Sequence, residues 1–201
     1  MTGGKTYLAG REAQAMRKVV LTFGLISGAI TSLMMFLTLP FADRIGFDRG
    51  ELIGYASIIL SLLMVFFGVR SYRDNVAGGA VTFGKAFAVG LAITVISCIC
   101  YVVSWEILYY NFMPDFLDKY SAHLIEQAAG KSPEAIQAQV QEVNKLKELY
   151  KNPLMNAAIT FIEPFPIGLI VTLMSAGILR RKRPTPKTLE PELDSSGRIN
   201  A

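Results

Sequence analysis

The segment Phe161–Arg183, FIEPFPIGLIVTLMSAGILRRKR, decides how the rest of the chain is read. Its apolar run stops abruptly at Arg180, Arg181, Lys182 and Arg183. An apolar helix closed by a basic cluster is the pattern of a last membrane span that ends in the cytoplasm. At the opposite end stand one acid, Glu163, and two prolines, Pro164 and Pro166. They predict a break between an outer helical piece, 155–162, and a span that starts at Pro164, with Glu163 as its cap.

Three more apolar blocks precede this one, so the predicted spans are about 19–39, 53–69, 83–110 and 155–179. At about 1.5 Å of rise per residue, each crosses or nearly crosses a hydrocarbon core about 30 Å thick. The 52% hydrophobic content matters through this clustering rather than through its total. The first block follows Arg17 and Lys18 but is too long for a signal-peptide core, so it is expected to be retained. The expected fold is all-α: a four-helix transmembrane bundle over 17–183, with a helical extracytoplasmic loop, 111–154, between helices three and four. Residues 1–16 are expected to be a flexible cytoplasmic tail, and 184–201, rich in Pro, Ser and charge, a disordered one.

Charge sets the orientation. With both termini in the cytoplasm, 13 of the 20 basic residues but 5 of the 16 acids lie inside, a balance of +8 against −4. The basic excess therefore records topology and requires no nucleic acid. The lipid bilayer is the expected partner, with anionic lipid at the Arg-rich cytoplasmic end. Trp105, Tyr109 and Tyr110 fit an aromatic belt at the outer interface, opposite Arg180, Arg181, Lys182 and Arg183. In the outer loop, Ser132-Pro133-Glu134 is a helix start, and Ile136, Val140, Val143, Leu146 and Tyr150 form an apolar stripe behind it.

Gly24 and Gly28 form a G-x-x-x-G pair in the first span. Such a pair lets a second helix approach closely, from this chain or from another copy, and also occurs by chance. Two acids stand out within the spans, Glu106 and Glu163. By rise they sit about 34 Å and about 24 Å above the cytoplasmic helix ends, so tilt can bring them level. Together they could share a proton or bind a cation; separately, Glu163 reads as a helix cap and Glu106 as an interfacial acid reaching water. With one histidine, His123, and two cysteines, Cys98 and Cys100, inside a span, no familiar zinc site or other cofactor site can be assembled. No G-x-S-x-G, H-E-x-x-H, P-loop or G-x-G-x-x-G motif is present, which argues against a familiar enzyme.

Two stretches, TFGKAFAVGLAITVISCICYVVSWEILYYNFMPDF (82–116) and FIEPFPIGLIVTLMSAGILRRK (161–182), resemble a bacterial membrane family catalogued as a domain of unknown function (DUF 4199). The resemblance extends over about Arg17 to Lys182. It implies four transmembrane helices in a bacterial inner membrane and no particular activity. The residues themselves point first to a non-enzymatic scaffold, assembly or accessory protein, acting with a membrane-protein partner or a second copy. The alternative is a small oligomeric carrier, or an ion- or proton-coupled component, using Glu163 and Glu106.

Overall fold

The computed structural model describes residues 3–127 and 132–181, and every regular element among them is a helix. Helix α1 (Gly3–Thr38) is followed by a 3-10 turn, Leu39–Phe41, and the short α2 (Ala42–Ile45). Gly46, at φ 85°, supplies the left-handed residue needed to turn the chain into α3 (Phe47–Asn75). The next turn uses Gly78 (φ 69°) and Gly79 (φ 83°), with the Gly79 N–H donating to the Arg73 carbonyl at 2.8 Å. Thr82 then caps α4 (Phe83–Asn111) by accepting from the Lys85 N–H. Beyond it lie α5 (Phe116–Gln127), α6 (Pro133–Tyr150), α7 (Pro153–Ile162) and α8 (Phe165–Leu179). Ser132 and Asn152 cap α6 and α7, each followed by proline at the first helical position.

The stretches Gly10–Phe41, Phe47–Asn75, Phe83–Asn111 and Pro153–Leu179 are each long and apolar enough to cross a membrane. The protein is a membrane-embedded all-α bundle. The second span, expected to be the shortest, is a helix of 29 residues, as long as the third. The first differs more from expectation. Its helix is already formed at Gly3, so the segment expected to be a flexible tail is helical and leads into the span at Gly10. Tertiary contacts explain this. Glu12 accepts hydrogen bonds from the Tyr72 hydroxyl at 3.2 Å and from Lys85 Nζ at 3.0 Å, and Met16 packs on the core. The expected tail at 184–201, with Lys182 and Arg183, lies outside the described residues.

Helices α1, α3 and α4 pack closely on one another, and α8 packs on α3 and α4. Small residues allow this. A Cβ added at Gly24 would stand 2.8 Å from Ile96, and one at Gly28 would stand 2.5 Å from the Cβ of Cys100, so both glycines face α4 of the same chain. Between these helices the Ser27 hydroxyl donates to the Ser61 carbonyl at 2.9 Å and lies 2.9 Å from Ser97 Oγ. Thr94 and Thr172 pair at 3.0 Å between α4 and α8. In a hydrocarbon solvent such contacts satisfy groups that water cannot reach, at about 0.6 kcal/mol each. The apolar core, with Leu62, Val65, Val69, Val89 and Ile93, runs alongside them. The α5–α6 hairpin sits at one end of the bundle.

Candidate functional site

At the Glu163–Pro164 junction the last span changes its neighbours. Below it α8 packs against both α3 and α4; above it α7 keeps α4 and has at most glancing contact with α3. At the end of the bundle that carries the hairpin, α3 and α7 therefore stand apart, and the gap between them is a cavity of about 390 Å³. Its walls come from α1, α3, α4 and α7, and its roof from α5 and α6. This volume lies in the range of small-molecule pockets, about 300–1,000 Å³.

Aromatic rings hold the roof in place. Phe47, in the first turn of α3, lies 6.1 Å from Phe116, 6.0 Å from Tyr120 and 5.1 Å from the stacked ring of His123. Asp48 receives a hydrogen bond from Gln127 at 2.8 Å and lies 3.1 Å from His123 Nε2. His123 is thus a docking residue that ties α5 to α3. Trp105 meets Phe116 edge-on at 5.1 Å and Tyr150 at 6.5 Å. Its indole N–H donates to Asn156 Oδ1 at 2.9 Å, and Asn156 is fully buried.

Several expected site residues have different surroundings from those anticipated. Glu163 does not cap the last span: Pro164 occupies the N-cap position, no side chain caps that helix, and Glu163 itself has helical angles (φ −61°, ψ −58°). Its carboxylate instead accepts a hydrogen bond from the Tyr101 hydroxyl at 2.9 Å and lines the cavity. The break does fall where the prolines placed it, between Ile162 and Phe165, because neither Pro164 nor Pro166 has an N–H to donate. Glu106 does not line the cavity, and its Oε1 is buried with no hydrogen-bond partner among the described residues. The acid that shares the cavity with Glu163 is Glu51, one helical turn before Tyr55 on α3. In the sequence it follows a short polar connection and looks like an ordinary loop acid, so nothing local marks it as a site residue.

Trp105 and Tyr109, expected in an interfacial belt, are turned inward and pack in the aromatic cluster with Leu108. Tyr110 is exposed at the bundle surface, as such an anchor must be. Arg180 and Arg181 are exposed at the opposite end, where the Arg181 N–H donates to the Val81 carbonyl at 2.9 Å.

Tyr150, in the roof, has its hydroxyl pushed up to about 12 by burial first and by the negative charge of Glu163 second. The folded chain therefore holds this proton above pH 10.0, the ordinary tyrosine value, where the unfolded chain releases it. The resulting stability is complete below pH 10 and lost as pH rises toward 12. A tyrosinate absorbance titration is expected to lose a step near pH 12 in Tyr150→Phe.

These features define a four-helix integral membrane protein with a roofed, acid-bearing cavity at one end. The chain belongs to the family described as protein of unknown function (DUF4199), whose model matches residues 22–181. No curated protein and no solved structure matches it.

Proposed function

We propose that this protein is a non-enzymatic ligand-binding accessory component of the bacterial cytoplasmic membrane. Both termini lie inside, the α5–α6 hairpin faces outward, and anionic lipid gathers at Arg180 and Arg181. The cavity under the hairpin is the observation that carries this reading. It is large enough for a small molecule, bears Glu163 and Glu51, and is closed at the α8 end by the packing of α8 on α3 and α4. A site closed on one side suits a receptor or an accessory subunit that presents its state to a membrane partner or a second copy through the hairpin.

Cysteine accessibility tests this reading. A Cβ at Gly54, on the cavity wall, meets nothing within 4 Å, so Gly54→Cys is tolerated sterically. In a background with Cys98 and Cys100 changed to alanine, Gly54→Cys is expected to react with a membrane-impermeant maleimide in intact spheroplasts. A cysteine replacing Val76, in the opposite turn, is expected to react only after permeabilisation. The reverse pattern, or an unreactive residue 54, would sink the outward-facing site.

The carrier reading has its own supporting observation. Buried hydroxyls of Ser27, Ser97, Thr94 and Thr172 lie in the bundle interior, and Thr31, one turn from Ser27, lines the cavity. Transport would require α8 to part from α3. It predicts that Glu163→Gln abolishes function while leaving the protein folded; an intact phenotype in that variant would remove the carrier's main residue.

A further inference from the structure

The chemistry of the cavity lining is one-sided. Two carboxylates, Glu51 and Glu163, line it, and no Lys, Arg or His does. Among the described residues no ion pair holds either carboxylate. Glu163 receives the Tyr101 hydroxyl alone, and both acids are exposed to the open space. Around them stand seven aromatic side chains, of which Tyr55, Tyr101, Tyr120 and Trp105 are four. Negative charge without a compensating base, set among ring faces, is what attracts an organic ammonium cation. An inorganic ion fits poorly. The described residues offer no group of three or more His, Cys, Asp or Glu able to hold a metal, and the volume far exceeds one bare ion.

We propose that the cavity binds an organic ammonium group, with Glu51 and Glu163 balancing its charge and the tyrosines and Trp105 packing around its carbon shell. This rests on the reading of the cavity as a ligand site and adds the ligand's chemical class. The same group can come from a free water-soluble amine or from the ethanolamine headgroup of a lipid. Both have a route, because the gap between α3 and α7 opens where Glu51 and Tyr55 are exposed.

The protein carries its own reporter, since Trp105 is the only tryptophan and lines the cavity. The full chain, purified in detergent, is titrated at constant ionic strength with tetramethylammonium, choline and 3,3-dimethylbutanol, the uncharged analogue of choline. Saturable changes in Trp105 fluorescence are expected for the two cations, with the alcohol at least about tenfold weaker. Glu163→Gln is expected to weaken choline binding by at least about tenfold. Glu51→Gln, at the exposed rim and so free of folding risk, is expected to weaken it in the same direction.

Equal binding of the alcohol, or no effect of either glutamine variant, would overturn the ammonium assignment and leave the cavity as a neutral ligand site. No fluorescence response to either cation would also overturn it. In that case labelling of Gly54→Cys still decides whether an outward-facing site exists, so the two readings fail separately. Lipid nanodiscs then identify the source. Ethanolamine lipid that competes with choline, where glycerol lipid does not, assigns the headgroup; choline binding that is equal in both assigns a soluble amine.

Discussion

Gly168→Leu is expected to destabilise the bundle by about 3 kcal/mol or more, the upper part of the range for overpacked sites. Gly168 is where the α8 backbone lies directly against Thr94 of α4. Even one added carbon there would collide with the Thr94 side-chain methyl and would lie 3.3 Å from Leu62. The same contact holds the Thr94–Thr172 pair and sets Thr94 Oγ1 3.5 Å from the Gly168 carbonyl, so separating the helices also costs hydrogen bonds. The loss should show as a lower melting temperature in detergent and a shift from monodisperse to aggregated material on size exclusion. Gly168→Ala gives a sharper test when combined with Thr94→Ser, which deletes the obstructing methyl and keeps the hydroxyl. The pair should recover most of the stability that Gly168→Ala alone loses. Absence of that rescue would mean that the close approach of α8 to α4 is not what limits the site.

Trp105→Ala is expected to cost about 3–5 kcal/mol and to release the roof from the cavity. Trp105 is 9% exposed and touches Tyr109, Phe116 and Tyr150, so it joins α4 to both helices of the hairpin. Trp105→Phe separates packing from hydrogen bonding. It keeps most of the ring contact but removes the donor to Asn156 Oδ1, which retains only the longer bond from Thr160 at 3.3 Å. A cost of about 1–2 kcal/mol is expected for that loss alone. Limited proteolysis within 116–150 gives the second readout. Faster cleavage in Trp105→Ala than in Trp105→Phe is expected, and equal rates would mean that the roof is held from elsewhere, through Phe47 and Asp48.

What could be read from the chain divides along local and non-local lines. The four spans, the α6 start at Ser132-Pro133 and the break at Pro164 and Pro166 were legible because each depends on a run or a motif within a few residues. The hydrogen bonds that define the site were not. Glu163 meets Tyr101, 62 positions away, and Trp105 meets Asn156, 51 positions away, and no periodicity carries those pairings. Trp105 beside Glu106 has the composition of an interfacial belt, yet the indole faces inward because Asn156 needs a buried partner. The same limit explains the N-terminal segment: Gly3 and Gly4 signal flexibility locally, while Glu12 finds Tyr72 and Lys85 only in the folded bundle.

The division of the last span has a consequence for how the protein is made. Helices α1, α3 and α4 leave the ribosome first and already hold close contacts with one another, including the Gly28–Cys100 approach and the Ser27–Ser61–Ser97 cluster. They can assemble while the final span is still being synthesised. The hairpin must be in place before α7 can settle beside α4, and α8 then closes against α3. The cavity therefore has no existence in the nascent chain. It is completed only when α7 and the hairpin have docked on α1, α3 and α4, so it is the last part of the bundle to take shape.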